Sequence, residues 1–479
     1  MTLRLYDTRA ATLRDFVPLD PENITMYVCG PTVQSGPHIG HVRAALSFDL
    51  LRRWLALRYG RVTFVRNVTD IDDKTLANAT PAEPWWALAY RIEQEFTAAY
   101  AAVGILPPTY EPRATASVPQ MQEIIAALIE RGHAYPASDG SGDVYFDVRS
   151  WPEYGSLTHQ SIDAMEPAED ADPRAKRNPQ DFALWKGAKS DEPADATWRS
   201  PWGAGRPGWH IECSAMAKRY LGPEFDIHGG GLDLRFPHHE NELAQSSAAG
   251  DGFAQYWVHN GLVTVGGQKM SKSLGNFTLA ADVLNAHDPQ VVRYALAAAH
   301  YRSSLDLTES SWAEADAALG RIRTFLERAE RASERNEGRR ARSETSAEEW
   351  EYTPLLPEEF GSAMDDDLGV PQALAVLHDR VRSGNQAIDD GDDAAAERAL
   401  YEVRAMVGVL GLDDVPGGAE NEGAAASALD ALVQTMITQR AQARADKDWA
   451  AADRIRDAIA AAGITLEDTP AGTHWSIDG

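Results

Sequence analysis

The sequence has very few cysteines and no long apolar run. Cys29 and Cys213 are its only cysteines in 479 residues, which excludes the disulfide framework typical of small secreted domains. No run of about eighteen apolar residues is available to cross a membrane. The N-terminal residues MTLRLYDTRAATLRDF lack the basic and then apolar layout of a signal peptide. We therefore expect a cytoplasmic protein with no membrane segment, and by default two buried thiols.

Positive charge is also scarce. The chain has 45 Lys and Arg against 72 Asp and Glu, a formal net charge of −27. Taken alone, this balance argues against a nucleic-acid partner, because proteins that bind nucleic acids usually carry basic patches. A length of 479 residues exceeds what one compact core supports, so we expect about three or more domains.

The chain is organised around residues 27–41, YVCGPTVQSGPHIGH. An apolar strand over 24–28 ends at Cys29, a Gly and Pro loop follows, and a helix is predicted over 41–58. A strand, a loop and a helix N-terminus present backbone N–H groups and a positive dipole end to a phosphate. This stretch therefore predicts a nucleotide site in a parallel α/β domain.

The next predicted strand, 61–68, ends in a group of acidic residues: Asp70, Asp72 and Asp73. Open parallel sheets bind ligands at the carboxyl ends of their strands, so these carboxylates are candidate ligand contacts. They are equally well placed to cap the following helix. The sequence leaves both interpretations open.

Four residues form a candidate metal site. His238 and Glu242 are four apart in a predicted helix and so share one face. With Cys29 and Cys213 they offer two soft and two harder ligands, a set that suits zinc better than magnesium or calcium. A lone histidine is usually structural and a helical glutamate usually solvated, and nearby competitors are His228, His239 and Glu240.

A second motif, KMSKS, occupies residues 269–273 in a glycine-flanked loop. Lys269 and Lys272 are spaced to neutralise a triphosphate as charge develops on the leaving pyrophosphate. The alternative is a solvated basic turn.

The remaining segments set the predicted domain organisation. Residues 176–186, KRNPQDFALWK, suit contact with single-stranded nucleic acid or a surface hairpin. We predict bundle helices over 312–334, 358–387 and 393–411, a linker over 416–427, and then helices 428–445 and 448–462 before a strand at 464–466. The predicted parts are 1–112 (first half of the nucleotide-binding domain), 113–200 (insertion), 201–262 (second half of that domain), 263–311 (the region of the KMSKS loop), 312–415 (helical bundle) and 427–479 (small C-terminal domain).

Several motifs together resemble one family. HIGH (38–41) with KMSKS marks the class I aminoacyl-tRNA synthetases, and YVCGPTV, NVTDIDDK, GWHIECSAM, HGGGLDL, FPHHENE and KMSKSLGNF resemble cysteinyl-tRNA synthetases. The resemblance implies a Rossmann-like parallel-sheet catalytic domain with an insertion, then an α-helical bundle and a small mixed C-terminal domain. It makes residues 1–112 and 201–262 the two halves of the catalytic domain, 263–311 the KMSKS loop and stem-contact region, and 427–479 the anticodon-binding domain. MDDDLGVP (364–371) departs from the family's usual MDDDFNTP, which puts in doubt the fine packing there.

The resemblance also implies roles for individual residues. It makes Cys29, Cys213, His238 and Glu242 the ligands of one Zn²⁺ that grips the substrate thiolate. The other implied roles are transition-state stabilisation by His38, His41, Lys269 and Lys272; ATP or substrate binding by Gly40, Trp209, Asp233 and Lys272; and anticodon reading by Trp449 and Asp453. By their residue types, Trp209 also suits a core position, and the terminal helices suit a structural hairpin.

The implied reaction is attack of the L-cysteine carboxylate on the α-phosphorus of Mg²⁺-ATP, followed by transfer of cysteine to the terminal adenosine of tRNA(Cys). An apolar pocket rejects serine by only about 1–3 kcal/mol, whereas zinc prefers a thiolate to an alcohol. Two alternatives stay open: the mycothiol-synthesis ligase, which passes cysteine to a glucosaminyl-inositol, and a non-catalytic RNA-binding relative. We expect a monomer.

Overall fold

The computed structural model describes residues 2–165, 175–269, 277–340, 356–413, 433–444, 446–461, 464–469 and 472–477. The chain divides into two compact units, Met1–Asp413 and Asp414–Gly479. No described helix is long and apolar enough to span a membrane.

The strands are β1 Arg4–Asp7, β2 Thr12–Asp15, β3 Ile24–Val28, β4 Val62–Arg66, β5 Ala134–Pro136, β6 Val144–Phe146, β7 Phe182–Gly187, β8 Gly205–Pro207, β9 Glu224–Gly231, β10 Phe253–Asn260, β11 Val263–Val265, β12 Gln268–Lys269, β13 Leu305–Leu307, β14 Ile464–Thr469 and β15 Gly472–Ile477. The α-helices are α1 Ile39–Tyr59, α2 Asp73–Asn78, α3 Trp85–Ala102, α4 Val118–Glu130, α5 Trp209–Leu221, α6 Glu240–Ala249, α7 Ala280–Ala286, α8 Pro289–Ala297, α9 Glu309–Arg340, α10 Glu358–Asp365, α11 Val370–Asp390, α12 Asp393–Leu410, α13 433–444 and α14 Trp449–Ala461.

A four-stranded parallel sheet forms the centre of the first unit. Its strand order is β10-β9-β3-β4, and every neighbouring pair is parallel. Buried side chains from α1 and α3 pack against one face of this sheet, and those from α5 and α6 belong to the core on the other. The predicted Rossmann-like α/β fold is confirmed, because both faces of a parallel sheet are covered by helices.

Strands β5, β6 and β7 lie in the predicted insertion and form a second, antiparallel sheet of order β5-β6-β7-β8 with β8, which follows the predicted boundary at residue 200. Helix α4 precedes this sheet in the chain. The last five residues of the KRNPQDFALWK tract, 182–186, belong to β7, whose side chains are mainly buried. Within β7, Lys186 forms an ion pair with Asp73 at 2.7 Å, so this part of the tract is an internal strand and not an exposed surface hairpin.

The prediction of one helix over 358–387 is wrong, because the chain breaks between α10 and α11. Asp367 and Leu368 have φ values of +56° and +55°, which L-residues rarely adopt in a helix. Contacts far along the chain stabilise this backbone: the Asp367 carboxylate accepts hydrogen bonds of 2.8 Å from the Tyr6 amide and the Tyr301 hydroxyl. The MDDDLGVP segment therefore ties the bundle to the N-terminal strand.

The second unit contains α13, α14 and an antiparallel hairpin of β14 and β15. Buried Val433 and Ile459 pack with the partly buried Trp475. The short strand predicted at 464–466 is extended to Thr469 and gains a partner strand that the sequence analysis did not identify.

Candidate active site and metal centre

A cavity of about 450 Å³ opens at the carboxyl ends of the central strands. This is where open parallel sheets bind ligands. The structure brings together here six residues predicted from the sequence: Cys29, His38, Gly40, His41, Trp209 and Asp233.

The four predicted zinc ligands converge, although they lie on separate parts of the chain. One donor atom from each of Cys29, Cys213, His238 and Glu242 lies within 4.8 Å of all the others. Glu242 Oε1 is 3.2 Å from Cys29 Sγ and 3.1 Å from His238 Nε2. Ligands bound to tetrahedral zinc at about 2.0–2.3 Å are separated by roughly 3.3–3.8 Å, so this donor set fits the ion.

A second set of donors overlaps the first. Cys29 and Glu242 also group with His228 and His239, again with all four donor atoms within 4.8 Å. His228 Nε2 lies 3.3 Å from Glu242 Oε2 and 3.7 Å from Cys29 Sγ. Of the competitors noted in the sequence, His228 and His239 therefore contact the cluster, whereas the Glu240 carboxylate accepts hydrogen bonds from the Gly155 and Thr158 amides. The two donor sets differ in their number of sulfur atoms.

Electrostatics at this cluster favour a bound cation. Burial raises the pKa of Cys29 well above its usual value, with Cys213 adding to the effect, and burial also raises the pKa of Cys213. Burial by itself raises the pKa of Glu242, but His228 and His238 bring it below its usual value. Burial lowers the pKa of His238 to about 3, so its imidazole is neutral and available as a ligand. A divalent metal would convert the two thiols to thiolates.

Sequence reasoning missed two histidines that support the cluster. His210 Nδ1 lies 2.9 Å from His238 Nδ1, and His259 Nε2 lies 2.8 Å from His239 Nδ1. Such contacts orient a metal-binding imidazole and fix its tautomer. The sequence signal for such an orienting role was the position of His210 beside Trp209 in GWHIECSAM.

The two HIGH histidines form the N-terminus of α1. His38 is the N-cap, and its ring stacks on that of His41 with centroids 3.6 Å apart. Each ring nitrogen Nδ1 accepts a hydrogen bond from the other residue's backbone amide, at 3.2 and 3.3 Å. Burial lowers the pKa of His41 to about 3, so this ring is neutral at pH 7. Because Nδ1 is the acceptor, the Nε2–H of the neutral His41 ring can donate a hydrogen bond to a phosphate oxygen.

The other predicted substrate and phosphate contacts lie on different elements of the first unit. Trp209, the first residue of α5, packs on His238 with ring centroids 4.4 Å apart, and it also lines the cavity. Asp233 follows β9 and lines the same cavity. Lys269 ends β12, while Lys272 lies outside the described residues.

The carboxylates of the acidic group after β4 form hydrogen bonds and ion pairs within the protein. Asp72 caps α2 by accepting a hydrogen bond from the Lys74 amide at 2.8 Å. Asp70 accepts one from the Thr115 amide at 3.0 Å. The capping interpretation holds for Asp72, and Asp73 forms ion pairs with Lys186 of β7 and Arg206 of β8.

The predicted anticodon residues lie on α14 of the second unit. Trp449 is 60% exposed, and Asp453 is exposed one turn further along. Asp453 Oδ1 lies 3.2 Å from Arg456 Nη1. The four-residue spacing places both side chains on one helix face.

Three family models match consecutive parts of the chain. The one described as "tRNA synthetases class I (C) catalytic domain" matches residues 15–317. "DALR domain" matches residues 359–413, and "Cysteinyl-tRNA ligase anticodon binding domain" matches residues 426–475.

Similar full-length proteins carry one name. Proteins named "Cysteine--tRNA ligase" from Clavibacter sepedonicus and Leifsonia xyli subsp. xyli are each 63% identical over 100% of both chains. The solved structure of Mycobacterium tuberculosis methionyl-tRNA synthetase in complex with methionyl-adenylate matches 82% of this chain and 90% of that chain, with a TM-score of 0.53 and 14% identity. This last likeness concerns the fold alone. On the family model and the relatives together, the chain belongs to the cysteinyl-tRNA synthetase family of class I aminoacyl-tRNA synthetases.

Proposed function

We propose that the protein is a cysteine–tRNA ligase, which activates L-cysteine with ATP and transfers it to tRNA(Cys). The observation that carries the proposal is the convergence of both cysteines with His238 and Glu242 beside the cavity. The relatives that share its full length carry the corresponding name. The mycothiol alternative has no comparable support, since a small amine acceptor needs no anticodon domain like the one matched at 426–475.

Selection of cysteine would rest on one Zn²⁺ held by Cys29, Cys213, His238 and Glu242. When bound, the ion would lower the pKa of a substrate thiol and prefer the resulting thiolate to the hydroxyl of serine. His210 would hold the His238 ring through its 2.9 Å contact, and Trp209, packed on the same ring, would form the wall of the pocket.

Activation would take place over the N-terminus of α1. The cysteine carboxylate attacks the α-phosphorus of Mg²⁺-ATP, the bond to the bridging oxygen breaks, and pyrophosphate leaves with the electron pair. Gly40 brings the backbone close to the nucleotide, and Asp233 is placed to accept hydrogen bonds from the ribose. His38 and His41 stabilise the charge that develops on the phosphoryl oxygens, and Lys269 and Lys272 stabilise the leaving pyrophosphate.

In the second step a ribose hydroxyl of the terminal adenosine attacks the carbonyl carbon of the adenylate, and AMP leaves. The chain needs no covalent enzyme intermediate for either step. Trp449 would stack on an anticodon base, and Asp453 would accept hydrogen bonds from a base edge. We place the reaction in the cytoplasm, where tRNA is used, and we keep a monomer as the expected state.

The direct test is cysteine-dependent reaction with two acceptors. Purified protein with cysteine, ATP and Mg²⁺ should charge tRNA(Cys) and should leave glucosaminyl-inositol unmodified. Cysteine-dependent exchange of pyrophosphate into ATP should occur without any acceptor. Exchange with no charging of tRNA(Cys), together with transfer to the amine, would overturn the assignment.

A further inference from the structure

We infer that Lys74 is a binding residue for the single-stranded acceptor end of the tRNA, where it contacts a backbone phosphate. This inference rests on the proposed function, because it assumes that the cavity carries out transfer to tRNA. It adds a residue that neither the HIGH nor the KMSKS motif contains.

The first observation is the charge of the cavity wall. Among the described residues, Arg66 and Lys74 are the Lys and Arg side chains that line the cavity. Arg66 is buried, its Nη2 lies 2.6 Å from Glu111 Oε1, and its guanidinium lies over the ring of Tyr100 at 4.6 Å. Lys74 is exposed and forms no ion pair with any carboxylate in the described part of the chain. Its charge is therefore available to a ligand.

The second observation is the charge environment of Lys74 itself. Its neighbour Asp73 is bound by two cations from the antiparallel sheet, Lys186 of β7 at 2.7 Å and Arg206 of β8. Although burial alone would raise the pKa of Asp73, these two cations lower it to about 2. Asp73 is therefore an ionised carboxylate whose negative charge is already balanced by these two cations. It does not compete for Lys74.

The third observation is that the backbone of Lys74 is fixed. Asp72 caps the helix through the Lys74 amide, and Asn78 Nδ2 donates to the Gln34 carbonyl at 3.1 Å. Both Gln34 and Lys74 line the cavity. A rigid backbone with a free charged side chain lowers the entropy cost of binding, because only the side chain must be ordered.

The position of Lys74 separates it from the ATP phosphates. Lys74 follows β4, one edge of the central sheet, while β10 is the other edge. Strands are about 4.8 Å apart, so the two edges are roughly 14 Å apart. Asp233 follows β9, and the predicted pyrophosphate contact Lys269 belongs to β12, which pairs with β11 just after β10. A phosphate beside Lys74 is therefore more consistent with the second substrate than with the triphosphate.

This assignment also helps to explain how a chain of net charge −27 binds RNA at its active site. An exposed basic face is not required if a few fixed cations lie where the acceptor end enters. Each phosphate contact contributes counterion release, which makes binding depend on salt concentration.

The test compares Lys74→Met with Lys74→Arg and with Lys218→Met as the matched control. Lys218 lies on α5, forms an ion pair with Asp251 at 2.9 Å, and does not line the cavity. We expect Lys74→Met to lose about tenfold in kcat/KM for tRNA, the size of a lost charge-assisted hydrogen bond. Its loss in pyrophosphate exchange should be at least five times smaller. Lys74→Arg should restore most of the charging, and Lys218→Met should change both rates by less than about twofold.

Salt dependence provides a readout that a structural role would not change. For one contact to single-stranded RNA, the slope of log kcat/KM for tRNA against log salt should become shallower by about 0.7 in Lys74→Met. Lys74→Arg and Lys218→Met should keep the wild-type slope. An unchanged slope in Lys74→Met, or equal losses in exchange and charging, would overturn the inference. Absence of exchange in the wild type would instead reject the proposed function.

Discussion

The metal cluster and the α14 pair are two candidate recognition sites built in opposite ways. Cys213, His238 and Glu242 are each at most 2% exposed, and together with Cys29 they come from three separate parts of the sequence. Trp449 is 60% exposed and shares one helix with Asp453. A cation stabilises a buried carboxylate that lies beside two thiols, whereas an exposed pair of side chains is solvated and requires no compensating charge.

Because of this difference, the geometry of the two sites identifies their ligands to different extents. At the buried cluster, the donor atoms and their spacing already select zinc over harder cations. On α14, the geometry shows only that an aromatic ring and a carboxylate face the same way. The following predictions test whether the contrast holds, in order of decreasing effect.

Replacing a buried ligand should have the largest effect. Cys213→Ser should fall from about one zinc per chain to a small fraction and lose at least 100-fold in pyrophosphate exchange, since even indirect contacts to a metal contribute 10–100-fold. The control is Ser214→Ala, the next residue, whose hydroxyl bonds Gln245 Oε1 at 2.6 Å. It should keep its metal. A full complement of zinc in Cys213→Ser would remove Cys213 from the site.

A smaller effect is expected for His210, which contacts the predicted metal ligand His238 and is not itself a ligand. His210→Asn should bind zinc about 10–100-fold more weakly, because the His238 ring loses its orienting contact. Competition with a chelator measures this directly. The matched control is His133→Asn in the insertion, where His133 Nδ1 contacts Ser150 Oγ at 2.9 Å. Equal zinc affinity in both variants would show that His210 does not support the site.

At the exposed site, Trp449→Ala should lower kcat/KM for tRNA by about tenfold, the value of one base–aromatic stack. Its loss in pyrophosphate exchange should be much smaller. The control is Trp86→Ala on α3, where the side chain is 55% exposed, almost as much as that of Trp449. If both variants charge tRNA alike, the α14 face does not read the anticodon.

The smallest predicted effect is on stability. The folded pKa of His41 is about 3, below its usual 6.5, because of burial. The unfolded chain therefore takes up a proton below pH 6.5 that the folded chain does not, so the free energy of unfolding falls as the pH drops from 6.5 towards 3. His41→Gln should make this fall shallower by up to about 1.4 kcal/mol per pH unit. Denaturant unfolding of metal-free protein at pH 7 and 5 measures it, and an unchanged slope would contradict the assignment.

Much of the fold could be predicted because local patterns and tertiary packing agree. The predicted strand 24–28 has the same bounds as the observed β3. The helix predicted over 41–58 is observed as α1, Ile39–Tyr59, and is slightly longer than predicted at both ends. The break after α10 could not be predicted, because positive φ at Asp367 and Leu368 is stabilised by Tyr6 and Tyr301, which no local pattern reveals.

The candidate site shows the same limit. The rarity of cysteine and the spacing of His238 and Glu242 were enough to select the four donors that converge. The contact of His210 with His238 was not predictable, since it depends on how α5 packs against the turn before α6. The sequence did not indicate a binding role for Lys74 either, because that role depends on which neighbouring charged side chains are already paired.

The most direct test of the metal centre is zinc K-edge X-ray absorption on the purified protein. The ligand set Cys29, Cys213, His238 and Glu242 predicts two Zn–S bonds at about 2.3 Å together with one nitrogen and one oxygen ligand. Addition of L-cysteine should raise the sulfur number, and addition of serine should not. One sulfur with two imidazole nitrogens, as expected from Cys29, His228, His239 and Glu242, would contradict the account.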